Sequence, residues 1–103
     1  MFIIANSINI AYTEMEDAWN RSESFQATFK YSHQVRTKTS TRYYWENVDN
    51  NKCYPMFAND LDKLLQAGMI VEGNFIVGLW KIRKIGTKYG FVPDRKWSEL
   101  LDQ

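Results

Sequence analysis

The sequence SFQATFKYSHQVRTK, residues 24–38, alternates apolar and polar side chains along its whole length. A period of two is typical of a half-buried strand, because successive side chains point to opposite faces of a sheet. The apolar face holds Phe25, Ala27, Phe29, Tyr31, His33 and Val35. The polar face holds Lys30, Arg36 and Lys38 and no acid. Most strands run about 5–6 residues, so a strand this long in a small domain predicts a bent strand that serves two sheets of a tight barrel.

Size and composition predict one folded domain over residues 1–103. Hydrophobic residues make up 45% of the chain, which is enough for a core and argues against global disorder. Aromatic residues make up 16%, more than a core of this size readily hides. Two interpretations of the rings stay open. They lie on the surface and serve a partner, a subunit contact or a stacked base, or they are half-buried at the rim of the core.

The charges are unevenly distributed, although the net charge is only +1. Residues 30–45 contain four cations and no acid, and residues 76–97 contain six cations and one acid. Residues 1–29 and 46–75 are acidic by contrast. If the fold brings the two basic blocks together, they form a local positive patch. The alternative is solvated charge on outward strand faces.

The N-terminal two-thirds of the chain contain further strand and helix signals. Residues 2–12 alternate loosely and indicate a first strand, and residues 41–48 indicate another strand before a turn at 49–52. Residues 13–16, TEME, have the form of a capping box, so a short helix to about residue 20 competes with a continuation of the first strand. Residues 55–68 give the clearest helix pattern, because Leu61, Leu64 and Leu65 form an apolar stripe.

The C-terminal third predicts a β-hairpin followed by a helix. Residues 73–83 and 88–92 alternate as strands around the turn at 84–87, and residues 95–102 fit a short helix. The predicted fold class is therefore mainly β. We expect a small bent five-stranded barrel of Sm, SH3 or OB type, with one or two short helices.

The chain has few residues suited to catalysis, with one histidine and one cysteine. His33 lies in the apolar register of the long strand, which predicts a packed, hydrogen-bonded side chain. Cys53 falls in a predicted turn, where no neighbouring pattern indicates an activated thiolate. A single cysteine also excludes an intramolecular disulfide and a multi-cysteine metal site. We predict that the protein is not an enzyme and uses no cofactor or metal.

No stretch approaches the ~20 apolar residues that a membrane span needs. The apolar start, residues 1–6, lacks the basic region of a signal peptide. We therefore expect no membrane partner and a cytoplasmic location.

Cations and aromatic rings are interleaved in two segments, residues 38–45 (KTSTRYYW) and residues 80–89 (WKIRKIGTKY). Cations neutralise phosphates and exposed rings stack on unpaired bases, so the pattern predicts binding of single-stranded RNA or DNA. The candidate phosphate contacts are Lys38, Arg42, Lys81, Arg83, Lys84 and Lys88, and the candidate stacking residues are Tyr44 and Tyr89. Trp45 is a poorer candidate because its register points inward. The alternative function is a protein-interaction module, an adaptor or inhibitor, whose exposed rings form a hot spot.

Residues 71–76, VEGNFI, resemble the second signature of Sm and Sm-like RNA-binding proteins. In that family a glycine followed by Asp or Asn leads into a strand, and the pair meets RNA in the pore of a subunit ring. The resemblance implies that Gly73 and Asn74 are nucleotide-contacting loop residues. It also implies a strongly bent five-stranded barrel that assembles edge to edge. We therefore expect a homo-oligomer, with a ring as the form that the family suggests.

Overall fold

The computed structural model describes residues 9–66, 70–73 and 75–94. Two α-helices and six strands make up most of this part. In chain order they are α1 (Tyr12–Arg21), β1 (Phe25–Arg36), β2 (Thr41–Asn47), β3 (Cys53–Phe57), α2 (Leu61–Gln66), β4 (Ile70–Glu72), β5 (Phe75–Ile85) and β6 (Lys88–Pro93). A short 3-10 helix, Ala58–Asp60, joins β3 to α2. The protein is therefore mainly β with two short helices, as the sequence predicts.

The six strands form one antiparallel sheet in the order β3-β2-β1-β5-β4, with β6 paired to β5. The long strand β1 is shared between two partners, because Phe25–Lys30 pair with β5 and Phe29–Arg36 pair with β2. The sheet curls so that β3 approaches β6, and the rings of Tyr54 and Phe91 lie edge to face with centroids 6.2 Å apart. Among the described residues no ladder of hydrogen bonds joins β3 to β6 or β4. The length of the predicted strand is confirmed, but β1 belongs to one sheet, with β2 on one side and β5 on the other, and not to two sheets. The described sheet has six strands and is open, so the predicted five-stranded barrel is not confirmed.

The core lies in the concave side of this curled sheet. Phe29, Trp80 and Phe91 are fully buried, and the rings of Phe29 and Phe91 stack with centroids 4.4 Å apart. The Trp80 indole Nε1 donates a 2.9 Å hydrogen bond to the carbonyl of Ala27, so the buried indole N–H is satisfied. Helix α1 closes the core by burying Met15 against it.

A β-bulge at Ser32 interrupts the alternation of β1. Tyr31 pairs with Trp45, but His33 pairs with Tyr44, so two steps along β1 match one step along β2. Directly paired residues share a face of the sheet. The extra residue therefore turns every later side chain of β1 to the opposite face.

The bulge corrects two predictions. The alternation predicted over residues 24–38 continues only as far as Tyr31. Val35, which was predicted to face inward, is 44% exposed. His33 is hydrogen-bonded, with its Nδ1 2.9 Å from the hydroxyl of Ser32, but it lies on the outer face and is only half-buried. Periodicity alone did not reveal the bulge because both registers offer acceptable side chains.

Helix α1 confirms the helical alternative for residues 13–20, but the capping prediction is wrong. The helix begins at Tyr12, and its N-cap residue Ala11 makes no side-chain cap hydrogen bond. Glu14, in the first turn of the helix, accepts a hydrogen bond from Lys52 in the connection between β2 and β3. This ion pair ties the start of α1 to the sheet.

The helix predicted over residues 55–68 is wrong in its first part. Cys53–Phe57 form β3, the strand at one end of the sheet order, and α2 spans Leu61–Gln66. Residues 67–68 of the predicted helix lie outside the described part. Pro55 has no N–H to donate, which is tolerated in an edge strand. Cys53 accordingly lies in a strand and is buried, not in a turn.

The other predicted elements have mixed outcomes. The strand at 41–48, the turn after it and the β5–β6 hairpin are confirmed. Trp45 is inward and 8% exposed, as its register predicts. Of the predicted strand over 2–12, residues 2–8 lie outside the described part, Ile10 makes a single parallel bridge to Cys53, and Tyr12 begins α1. The helix predicted over 95–102 also lies outside the described residues. In the described part no helix is long and apolar enough to cross a membrane.

Candidate nucleic-acid interface

The fold brings three distant parts of the chain together around a surface cleft of about 470 Å³. Three tyrosines, two cations and one acid characterise its lining: Tyr12, Tyr44, Tyr89, Arg42, Lys88 and Glu16. We call this site the tyrosine cleft. Four of these six residues are among those that the sequence singled out for nucleic-acid contact, and they come from both basic blocks. The two basic blocks therefore meet at this cleft, and each contributes one cation to its lining, Arg42 and Lys88.

The strand β2 positions one side of the tyrosine cleft. Arg42 and Tyr44 are two residues apart, so they lie on the same face, opposite to the buried Trp45. The bulge sets His33 directly beside Tyr44, where the two rings stack in parallel with centroids 4.7 Å apart and an interplanar angle of 7°. The stack restrains the Tyr44 ring next to the cleft and covers one of its two faces, which leaves the other face for a base.

The β5–β6 hairpin positions the other side of the tyrosine cleft. Lys88 and Tyr89 begin β6, immediately after the turn at residues 86–87. Tyr89 is half-buried against the core. Lys84, its partner on β5, holds its Nζ 5.4 Å from the centroid of the Tyr89 ring. This cation–π contact restrains a lysine at the edge of the cleft.

Helix α1 contributes further residues to the lining of the cleft. Tyr12 and Glu16 are four residues apart, so they lie on one face of the helix. Tyr12 is 67% exposed, which leaves most of its ring accessible to a ligand. Glu16 is the acid of the lining and offsets part of the charge of Arg42 and Lys88.

A second cleft, of about 660 Å³, includes Lys84 in its lining. Its lining includes one exposed tryptophan and four cations: Trp19, Lys63, Lys81, Arg83 and Lys84. We call it the lysine cleft. It holds the three remaining candidates of the 80–89 segment. The acids Glu23 and Asp94 also line it, and the Asp94 carboxylate is buried and accepts a hydrogen bond from the Ser24 hydroxyl.

Two of the cations in the lysine cleft are held by a buried carboxylate. Asp60 is fully buried, and its Oδ1 lies 2.7 Å from Nη1 of Arg83 and 3.1 Å from Nζ of Lys63. Its Oδ2 is buried without a hydrogen-bond partner. A buried carboxylate that lacks a cationic partner strongly destabilises the folded state, so the two cations are required for its burial. Arg83 therefore stabilises the packing of the 3-10 helix on β5, and part of its charge is already neutralised.

Three candidate residues lie apart from both clefts or outside the described chain. Lys38 occupies the exposed turn between β1 and β2. Gly73 lies in the tight connection between β4 and β5 with φ of +61°, a backbone conformation that favours glycine over other residues. The turn therefore accounts for Gly73 without a ligand. Asn74 lies outside the described residues.

The titratable groups with shifted pKa values are structural. Burial raises the pKa of the Cys53 thiol, which keeps it protonated. Burial also raises the pKa of Tyr54, whose hydroxyl accepts a 3.1 Å hydrogen bond from the side chain of Asn50. In the described part of the chain no group of three or more His, Cys, Asp or Glu side chains is arranged to hold a metal ion. The third shifted group is Glu14, whose pKa is lowered by the hydrogen bond from Lys52, and none of the three groups lines the tyrosine cleft or the lysine cleft.

Sequence reasoning missed Tyr12, Glu16 and Trp19. The first-strand prediction covers Tyr12, the capping-box prediction covers Glu16, and the possible helix includes Trp19 without a functional role. Their exposure depends on which side of α1 packs on the core, and the sequence signals for this are weak in a ten-residue helix.

No family model, curated protein or solved structure matches this chain.

Proposed function

We propose that this protein is a non-catalytic nucleic-acid-binding protein whose ligand is single-stranded RNA or DNA. The tyrosine cleft carries the proposal, because it places Arg42 and Lys88 beside three tyrosine rings. The proposed fold is a small barrel of Sm, SH3 or OB type, which the curl of β3 toward β6 supports.

The physical argument rests on how a single strand is bound. Each cation that neutralises a phosphate releases counterions, and each ring that stacks on a base contributes about 1–3 kcal/mol. A double-stranded ligand hides its base faces, so the tyrosines favour an unpaired strand. Glu16 repels phosphates but accepts hydrogen bonds from base amino groups. It therefore favours a pose with the bases toward α1 and the backbone toward Arg42 and Lys88.

We further propose that the protein forms a homo-oligomer through a sheet edge. On the side of β1 that pairs with β5, residues 31–36 have no ladder partner among the described residues. An edge of this length is a template for a strand of another copy. The family resemblance makes a ring the first form to test. A cytoplasmic location is part of the same proposal, since the buried free thiol of Cys53 suits a reducing compartment.

Fluorescence anisotropy tests the binding proposal with labelled oligo-U, oligo-A and oligo-dT of about nine nucleotides. We expect binding that weakens from about 50 to about 200 mM salt. Arg42→Gln and Lys88→Gln should each weaken binding. Each should also make the salt slope, the slope of log K against the logarithm of the salt concentration, shallower by about 0.7. The matched control is Lys30→Gln, an exposed lysine outside both clefts whose Nζ lies 5.8 Å from the Phe75 ring. Absence of binding at the lower salt would reject the proposal.

A protein-interaction module is the second candidate, favoured by exposed apolar side chains. Trp19, Phe75 and Ile85 are each more than 40% exposed. Such a surface buries rings against a partner, and its affinity responds little to salt. Salt-insensitive capture of a protein partner, together with no oligonucleotide binding, would favour this function over the first.

A further inference from the structure

We infer that the lysine cleft continues the path of the bound strand, with Trp19 as an additional stacking residue. The inference rests on the proposed function and extends it to a ligand long enough to occupy both clefts. The minimal ligand of the tyrosine cleft alone is then a short oligonucleotide, and full affinity needs a longer one.

The two clefts meet at the β5–β6 hairpin. Lys84 lines the lysine cleft, and its Nζ lies 5.4 Å from the centre of the Tyr89 ring, which lines the tyrosine cleft. Helix α1 also borders both, with Glu16 in one lining and Trp19 in the other. A strand that leaves the tyrosine cleft over Tyr89 therefore reaches Lys84 next.

Trp19 is suited to stacking because of its exposure. It is 41% exposed at the end of α1, whereas Trp45 and Trp80 are buried in the core. An indole ring offers a large flat surface, and base–aromatic stacking tolerates any base. A partly exposed tryptophan beside cations is also the arrangement that stabilises a ligand with both bases and phosphates.

Two lysines in the second cleft are available to phosphates. Lys81 and Lys84 pair with no carboxylate in the described part of the chain, whereas Lys63 and Arg83 share Asp60. For single-strand binding, each neutralised phosphate adds about −0.7 to the slope of log K against the logarithm of the salt concentration. Arg42 and Lys88 alone predict a slope of about −1.4, and the addition of Lys81 and Lys84 predicts about −2.8.

The test compares labelled oligo-dT of about three and about nine nucleotides by anisotropy over a salt series. We expect the longer strand to bind at least tenfold more tightly, with about twice the salt slope. Trp19→Ala should weaken binding of the longer strand about fivefold or more and leave the shorter strand unchanged. Trp19→Phe should retain part of the affinity. Thermal unfolding of both variants checks that they are folded, and Lys30→Gln again serves as the control.

The outcomes separate this inference from the proposed function. If both strands bind with the same affinity and the same salt slope, the tyrosine cleft acts alone and the inference is wrong. If Trp19→Ala and Lys81→Gln weaken both strands equally, the two clefts are not parts of one path and the inference is also wrong. If neither strand binds, the proposed function fails and the extended path fails with it.

Discussion

The buried carboxylate of Asp60 provides a direct test of how the lysine cleft is built. We consider Asp60→Asn and Arg83→Gln, singly and together. Asp60→Asn removes the negative charge but keeps the shape of the side chain. Arg83→Gln leaves the fully buried carboxylate with Lys63 as its remaining cation, at 3.1 Å.

The expected costs follow from burial. Arg83 is 38% exposed, so water solvates its guanidinium when the carboxylate is removed. Asp60→Asn should therefore cost the charged hydrogen bond alone, about 1.5–3 kcal/mol in the free energy of unfolding. The carboxylate has no exposure, and a buried charge that loses its partner costs about 3–5 kcal/mol. Because Lys63 remains, we place Arg83→Gln near the lower end of that range. In the double variant neither charge is present, so its cost should be smaller than the sum of the two.

Urea denaturation of the four proteins measures the coupling, and thermal unfolding confirms its sign. A shift of 1 kcal/mol corresponds to roughly 4–8 °C in Tm for a domain of this size. Asp60→Asn should also strengthen oligonucleotide binding, because it releases the charges of Arg83 and Lys63 into the lysine cleft. Additive costs in the double variant, or a larger cost for Asp60→Asn than for Arg83→Gln, would refute the account of a buried carboxylate held by its cations.

Three further predictions concern other parts of the fold. A Cβ on Gly90 would meet the Phe57 ring at 2.6 Å, so Gly90→Ala should destabilise the protein by about 1–3 kcal/mol in urea denaturation; unchanged stability would contradict this. Burial raises the pKa of Cys53, so iodoacetamide should modify native protein far more slowly than unfolded protein, and equal rates would be evidence against burial. The hydrogen bond from Lys52 lowers the pKa of Glu14 below its ordinary 4.5. This stabilisation, at most about 1 kcal/mol, is complete above pH 4.5 and is lost as the pH falls through the lower folded value. Glu14→Gln should flatten the pH dependence of stability below pH 4.5, and an unchanged profile would contradict the assignment.

The sequence by itself determined the features that depend on local periodicity and turn chemistry. The alternation around Phe29 predicts the long strand, and the segment around residues 84–87 predicts the β5–β6 hairpin. The register of Trp45 predicts its burial. These signals are local because a strand alternates with a period of two whichever strand it pairs with.

Only the tertiary structure decided the features that depend on contacts between distant segments of the chain. The bulge at Ser32 depends on how β1 pairs with β2, and it sets His33 against Tyr44. The chain segment around Pro55 is a strand because it pairs with β2 at the edge of the sheet, which outweighs its helical pattern. The cleft shared by Arg42 and Lys88 and the capture of Arg83 by Asp60 join residues far apart in the chain. Side-chain contacts of this kind follow from the curl of the sheet, which local sequence patterns do not predict.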